Sequence, residues 1–341
     1  MGTNTFSVVQ FNILAQFLTH PEEYPYAKPE ALNWKLRFQR IRLFLAGFIA
    51  HGADIICLQE VQGTAAVPLL KDPNDHKSLL VSAVRELNPS FAALYCRKTG
   101  ADGSSSPERD LGNLLLYRGD KFELLEYQNL AYARELGKVV KTAAQYHHYV
   151  TSYKQVAVVA RLRHTNLGRI VCVAKTHSTS NYQNPDIQLA QVNALVGVLS
   201  SFKKAHEPVV VCGDFNSSPS SDVYHFLSKG MLPKGSTALK PKSTAIPSMF
   251  PDGLRHSLSL SSAYTSMTGS EPSFTNLKGP PENFMDCLDY VWHSQELLAT
   301  AVLPTPPIDT LSKERGGLPN TVYPSDHIPI GATFAFADLA I

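Results

Sequence analysis

The sequence predicts an α/β sandwich, with two β-sheets packed face to face and helices outside both. Three observations carry that prediction. Nine short apolar runs recur along the chain, many of them uninterrupted, as strands covered on both faces require. Between some of these runs lie stretches with apolar residues at helical spacing. The chain has 341 residues, 44% apolar and 18% charged, which is ample for a buried core of this kind.

Taken in order, Phe6–Leu14 (FSVVQFNIL) is the first predicted strand. Asn33–Ala50 is a helix, since Ile41, Leu45, Phe48 and Ile49 share a face and Gly52 follows as a C-cap candidate. Ile55–Leu58, Phe91–Tyr95 and Leu114–Tyr117 are strands, and the polar, Gly- and Ser-rich Thr99–Arg109 is a loop. Val156–Leu162 and Ile170–Ala174 are strands that lead into a helix at Pro185–Ser201. That helix places Leu189, Val192, Leu195, Val196 and Leu199 on one face. After the strand Val209–Cys212, a helix Ser221–Lys229 begins behind Pro219 and stops at Gly230. Met231–Gly253 and Pro304–Pro319 have no clean period and read as irregular, whereas Asp289–Trp292 and Ile328–Phe336 are the last strands. No shift in composition marks a boundary and no repeat is visible, so one domain over residues 1–341 is expected.

Charge and composition exclude several classes. A net charge of +2, from 31 Lys+Arg against 29 Asp+Glu, argues against coating duplex nucleic acid and leaves room for a local basic cleft. The longest apolar stretch, Leu43–Ala50, is far too short to span a membrane, and Met1–Gln10 lacks the pattern of a secretory signal. Cys57, Cys172 and Cys212 sit in strand-like runs with no CxxC pair. They are expected as buried thiols in a reducing compartment, the cytoplasm first, with nucleus and mitochondrion left open. No protein partner is identifiable.

The chemistry lies in polar residues at the ends of apolar runs. Asn12 interrupts FSVVQFNIL, Glu60 ends IICLQE, and His177 follows IVCVAKT. Asp214 and Asn216 follow VVVCG, Asp289 begins DYVW, and Asp326 with His327 precedes IPIGATF. Alone, each has a bland reading as a turn residue or a solvated strand end. As a set they supply the oxygen ligands of a hard cation such as Mg²⁺, with Mn²⁺ as an alternative. They also supply two imidazoles able to donate to a phosphoryl oxygen. No HxxH or Cys/His cluster points to zinc.

These residues fall in stretches that resemble a known family. FNILAQ, YPYAKPEALNWKLRFQRI, ADIICLQEVQ, VAKTHSTSNYQNPDIQLAQVNAL, VVVCGDFNSSPSSDVYHFL, HSLSLSSAYTSM, FTNL, CLDYVWHS and LPNTVYPSDHIPI occur in order from residue 7 to about residue 330. Together they resemble the endonuclease/exonuclease/phosphatase superfamily, in its carbon-catabolite-repressor-type deadenylase branch, which includes nocturnin, the Angel proteins and the 2′,5′-phosphodiesterases. The resemblance implies a four-layer αββα sandwich of two mixed sheets with the active site at the sheet ends. It implies Glu60 as direct metal ligand, Asn12 beside it and Asp326 as a second metal-site carboxylate. It implies Asp214 as the residue that orients or deprotonates the attacking water, with Asn216 and His177 on the phosphate. It also implies Asp289 as partner of His327, and His327 as stabiliser of the phosphorane-like transition state. Phe284, five residues before Asp289, matches a base-stacking phenylalanine, and core packing is an equal alternative for it. Tyr26 and Trp34 are expected in packing roles.

The sequence departs from the family around the substrate. An Asp-Asn pair that usually precedes the strand at residues 154–162 is replaced by Lys154-Gln155, so Gln155 keeps an amide with a longer reach. The family's THL becomes Thr176-His177-Ser178, and a Ser-rich insertion separates Asp102-Gly103 from Leu111. Arg134, Lys138, Lys141, His147, His148 and Lys154 are read as a solvated loop rather than a phosphate-binding rim. Three functions follow from this reading. The first is a Mg²⁺-dependent 3′-exoribonuclease on single-stranded poly(A). The second is a nocturnin-like phosphatase or phosphodiesterase on a small nucleotide phosphate, with the 2′-phosphate of a dinucleotide, a 2′,5′-linked oligoadenylate or a 2′,3′-cyclic end as candidates. The third is a silent RNA-binding relative, which the intact polar set disfavours.

Overall fold

The computed structural model describes residues 4–63, 75–98, 111–151, 154–180, 182–311 and 316–337. Among these residues two six-stranded mixed sheets face one another. Their strands, in chain order, are β1 (Thr5–Asn12), β2 (Ile55–Gln62), β3 (Phe91–Arg97), β4 (Leu111–Arg118), β5 (Phe122–Ala131) and β6 (Val156–His164). They continue with β7 (Ile170–His177), β8 (Val209–Asp214), β9 (Leu260–Ser262), β10 (Asp289–Ser294), β11 (Leu297–Val302) and β12 (Ile330–Phe336). The first sheet runs β11-β12-β1-β2-β4-β3 and the second β9-β10-β8-β7-β6-β5.

Neighbours are antiparallel except for one pair in each sheet, β1 with β2 and β7 with β8. A parallel pair needs a long crossover. Helix α1 (Trp34–Ala50) lies in the first, and α3 (Pro185–Phe202) in the second. Two shorter helices, α2 (His76–Leu87) and α4 (Asp222–Lys229), pack beside them on the outer faces. The apolar pattern explains the layering. Val8, Ile55, Leu115, Val158, Val173 and Val210 meet between the sheets. Ile41, Leu45 and Phe48 of α1 cover Phe11, Ile56 and Leu58 on one outer face. Leu189, Val192 and Val196 of α3, with Phe226 of α4, cover Val159, Ala174 and Val211 on the other. These are the four layers expected.

Several boundaries and elements differ from the sequence reading. Asn33 is the N-cap of α1 and accepts from Leu36 N, while Gly52 takes the positive φ expected after the helix. Strand β1 ends at Asn12 and β12 starts at Ile330. β5, β9, β11 and α2 were not predicted. β5 is an edge strand interrupted by exposed Glu123 and Glu126, so it has no apolar run to see. In β11 exposed Leu298 alternates with buried Leu297 and Ala299, and α2 shows only a narrow stripe of Leu80, Ala83 and Val84. The stretch read as a solvated basic loop is largely helical. Tyr132–Gly137 and Ala143–Tyr146 are α-helical, His147–Thr151 forms a π turn, and His148 Nε2 lies 2.8 Å from Asp186 Oδ2. Arg134, Lys138, Lys141, His147 and Lys154 are nonetheless exposed, as the solvated reading expects, and only His148 is partly buried. Met231–Gly253 is mostly irregular, as expected, and Thr99–Arg109 lies outside the described residues. All five cysteines are buried and free. Among the described residues no helix is long and apolar enough to cross a membrane.

Candidate active site

The two parallel pairs place their carboxyl ends at one edge of the sandwich, where ligands bind in open α/β sheets. Asn12 ends β1, Glu60 lies near the end of β2, His177 ends β7 and Asp214 ends β8. The antiparallel neighbours start there: Asp289 opens β10 directly opposite Asp214, and Asp326-His327 precedes β12. Residues spread over more than 300 positions of sequence therefore meet for a topological reason.

Asn12 sits at the centre. Its Nδ2 donates to Asp214 Oδ2 at 3.0 Å and to Glu60 Oε1 at 3.1 Å, and lies 3.4 Å from His327 Nε2. Glu60 occupies an irregularity in the β2–β4 register and holds φ +58, a left-handed value uncommon for a non-glycine residue. Its other oxygen accepts from Ala15 N at 2.9 Å. Asn216, at φ +49, is the second left-handed residue here; its backbone N–H donates to Asp214 Oδ1 at 2.8 Å and its Nδ2 to Ser178 O at 3.0 Å.

A buried dyad faces Asp214. His327 Nδ1 is 2.7 Å from Asp289 Oδ2, and its Nε2 is 3.6 Å from Asp214 Oδ2. Asp289 is held from the opposite sheet and from a loop: Gln10 Nε2 donates to Oδ1 at 2.6 Å and Thr275 Oγ1 to Oδ2 at 2.6 Å. Burial opposes the charge on His327, but Asp289 and Asp214 outweigh it and raise its pKa well above the ordinary imidazole value. Burial and the charge on Asp289 push Asp214 up, to about 7. His177, with Nε2 at 3.5 Å from Asp214 Oδ2, goes the other way, because burial and then Lys98 and Lys175 disfavour its charged form. The surroundings therefore favour the charged form of one imidazole and the neutral form of the other, on either side of one carboxylate. Asp326 accepts from Tyr24 O–H at 3.0 Å, and the charges of Asp326 and Glu60 both act on Tyr24.

The structure thus gathers Asn12, Glu60, His177, Asp214, Asn216, Asp289, Asp326 and His327 in one buried pocket. Ligand atoms of Asp214, Asp289 and His327 all lie within 4.8 Å of one another, but the bond from His327 Nδ1 to Asp289 and its raised pKa suit a proton donor rather than a metal ligand. The set is rich in carboxylate oxygen and has no thiolate, which suits a hard dication. Gln155 and Phe284 lie at the rim. Gln155 Nε2 reaches Ser178 O at 3.4 Å. The half-buried ring of Phe284 lies 6.2 Å, centroid to centroid, from that of Tyr182. Tyr26 and Trp34 pack as expected: Tyr26 O–H donates to Leu318 O, and Trp34 stacks on His76 at 3.5 Å.

Sequence reasoning missed five residues around this pocket. Gln10 and Thr275 hold Asp289. Arg37, fully buried, donates to Pro324 O at 2.7 Å and Ile13 O at 2.6 Å, tying together the loops that carry Asp326 and follow Asn12. Lys98 is the cation acting on both Glu60 and Asp214. Tyr182 completes the aromatic pair. A polar residue inside an apolar run marks Gln10, but no comparable signal marks the other four.

Comparison with known proteins assigns the chain to a family. The Endonuclease/Exonuclease/phosphatase family matches residues 9–327. The chain belongs to that family. The CCR4-Not complex 3′-5′-exoribonuclease subunit Ccr4 of Yarrowia lipolytica is 30% identical, over 98% of this chain and 48% of its own length. That of Saccharomyces cerevisiae is 26% identical, over 98% of this chain and 39% of its own length. The chain thus spans half or less of these curated relatives. Among solved structures of this endonuclease/exonuclease/phosphatase fold, ANGEL2, a 2′,3′-cyclic phosphatase in complex with adenosine-2′,3′-vanadate, superposes with a TM-score of 0.76. It is 26% identical, over 97% of this chain and 95% of that one. The human Nocturnin catalytic domain with bound sulfate shares the fold with a TM-score of 0.62 at 23% identity, over 98% of this chain and 96% of that one.

Proposed function

We propose that this protein is a Mg²⁺-dependent phosphodiesterase that removes nucleotides from the 3′ end of single-stranded RNA, with poly(A) as the preferred substrate. The observation that carries the reading is the Asp289–His327 dyad aimed at Asp214, beside the Tyr182–Phe284 ring pair. Glu60, with Asn12 and Asp326 beside it, would hold the cation, which as a Lewis acid neutralises phosphate charge. Asp214, with its pKa near neutrality, takes the proton of the attacking water as that water adds to phosphorus in line with the leaving 3′-oxygen; the P–O3′ bond breaks, the terminal nucleotide leaves as a 5′-monophosphate, and the freed 3′-oxygen takes a proton from solvent. The Nε2–H of cationic His327 donates to a non-bridging oxygen as charge builds there, while Asp289 keeps the imidazole charged and oriented. His177 and Asn216 position the phosphate, and Gln155 borders it. The rings of Tyr182 and Phe284 offer a stacking surface for an unpaired base.

The Ccr4 relatives, named as 3′-5′-exoribonuclease subunits, support this substrate class. A second reading, hydrolysis of a 2′,3′-cyclic phosphate at an RNA end, is favoured by the near-complete superposition on ANGEL2. Incubating a 5′-labelled oligo(A) with the protein and Mg²⁺, alone and with EDTA, separates the two. A stepwise ladder that EDTA abolishes is expected. An intact oligo(A), with opening of a cyclic-phosphate end instead, would overturn the exonuclease reading.

A further inference from the structure

Two stretches of this chain contain no carboxylate. None lies between Glu135 and Asp186, and none between Asp222 and Asp252. The fold brings both to one side of the active-site mouth. β6 begins beside the end of β7, with Ala157 paired to Thr176 and Gln155 bonded to Ser178, so the exposed Lys154 stands next to the strand end that carries His177. The second stretch crosses the first, where Gln145 Nε2 donates to Pro247 O at 3.1 Å. It then extends exposed Lys242 to the rim, with Nζ 3.4 Å from Gln183 Oε1, one residue after Tyr182. Among the described residues neither lysine forms an ion pair. The wall on the Phe284 side carries Glu282, whose carboxylate pairs with Lys278 at 3.2 Å, and the carboxylates Asp286 and Asp326. The mouth is therefore electrostatically lopsided, with uncompensated cations on one lip and carboxylates on the other.

We propose that Lys154 and Lys242 bind the phosphates of the nucleotides 5′ to the one being removed, so that the protein grips single strands longer than a dinucleotide. Cations that track a backbone beside an aromatic stacking surface are the general solution for single-stranded nucleic acid. Neither lysine belongs to the buried set around Asp214, so their contribution lies in holding the strand. The inference rests on the RNA reading above and deepens it.

The test is binding without turnover. Fluorescence anisotropy in EDTA measures the affinity of the protein for a labelled 20-nucleotide oligo(A) over a salt series, and competition measures the dinucleotide ApA, which has one phosphate. The Lys154→Gln/Lys242→Gln double variant should bind the 20-mer about fivefold to tenfold more weakly, with a salt slope reduced by roughly 0.7 per lysine. ApA affinity should not change. Both side chains are exposed, so circular dichroism should show the wild-type fold. Unchanged affinity and slope for the 20-mer, or equal losses for ApA and the 20-mer, would overturn the inference. The readout does not depend on cleavage. A protein that cuts no oligo(A) but binds it through these lysines contradicts only the exonuclease reading, and an active exonuclease whose double variant binds normally contradicts only this inference.

Discussion

The chemistry of the pocket turns on which groups carry a proton. Asp289 is buried and accepts from Gln10, Thr275 and His327, so no oxygen of its carboxylate is left unpaired. Its charge is the largest influence raising the pKa of His327 against burial. A histidine whose folded pKa exceeds its unfolded value of about 6.5 contributes stability that is fully present below that value. The contribution is lost as pH rises through the folded pKa. Asp289→Asn should therefore lower the His327 pKa and flatten stability on the alkaline side. It should also cut turnover by roughly 10²- to 10⁴-fold, the usual range for a disabled acid–base group. Proton titration of the His327 ring by NMR, unfolding at several pH values and steady-state rates check this together. An unchanged His327 titration would remove Asp289 from that role. At this scale Asn12, Asp214 and Asp289 were legible in the sequence, because a polar residue at the end of an apolar run is conspicuous. Arg37 and Thr275 were not, since their meaning comes from partners such as Pro324, 287 positions away from Arg37.

Strands and their junctions decide whether those groups meet. His177 and Asp214 face each other because β7 and β8 are in register up to their last residues, with Thr176 opposite Gly213. Gly213 holds φ +150, and a Cβ added there would stand 2.0 Å from Thr176 O, a backbone atom that cannot rotate aside. Gly213→Ala should force β8 away from β7, costing about 3–5 kcal/mol and displacing Asp214 from His327. Chemical denaturation and activity measured on the same samples check it, and near-wild-type values in both would show that the close approach is not required. The strands and helices that make the parallel pairs were legible as apolar runs and helical stretches, but which strands pair was not. The left-handed turn at Glu60 was not, because nothing in LQEV distinguishes a straight strand from one that breaks register. β5 was missed for a related reason: an edge strand half in solvent needs no continuous apolar run.

Across the whole molecule, the site is also where the two sheets are tied together. Gln10 to Asp289 and Asn12 to Asp214 are hydrogen bonds from the first sheet to the second. The family fold and the position of the pocket could be read from ordered motifs along the chain, whereas the cationic lip could not, since it forms only when two distant acid-free stretches are packed side by side. Glu60 belongs to the first sheet and Asp214 to the second, so one variant in either should silence the shared pocket. The most direct measurement of that claim is Mg²⁺-dependent hydrolysis of oligo(A) by wild type and Glu60→Ala, with and without EDTA, on protein shown to be folded. The account predicts wild-type cleavage that EDTA abolishes and a loss of at least about 10²-fold in the variant. An unchanged rate in Glu60→Ala would contradict it.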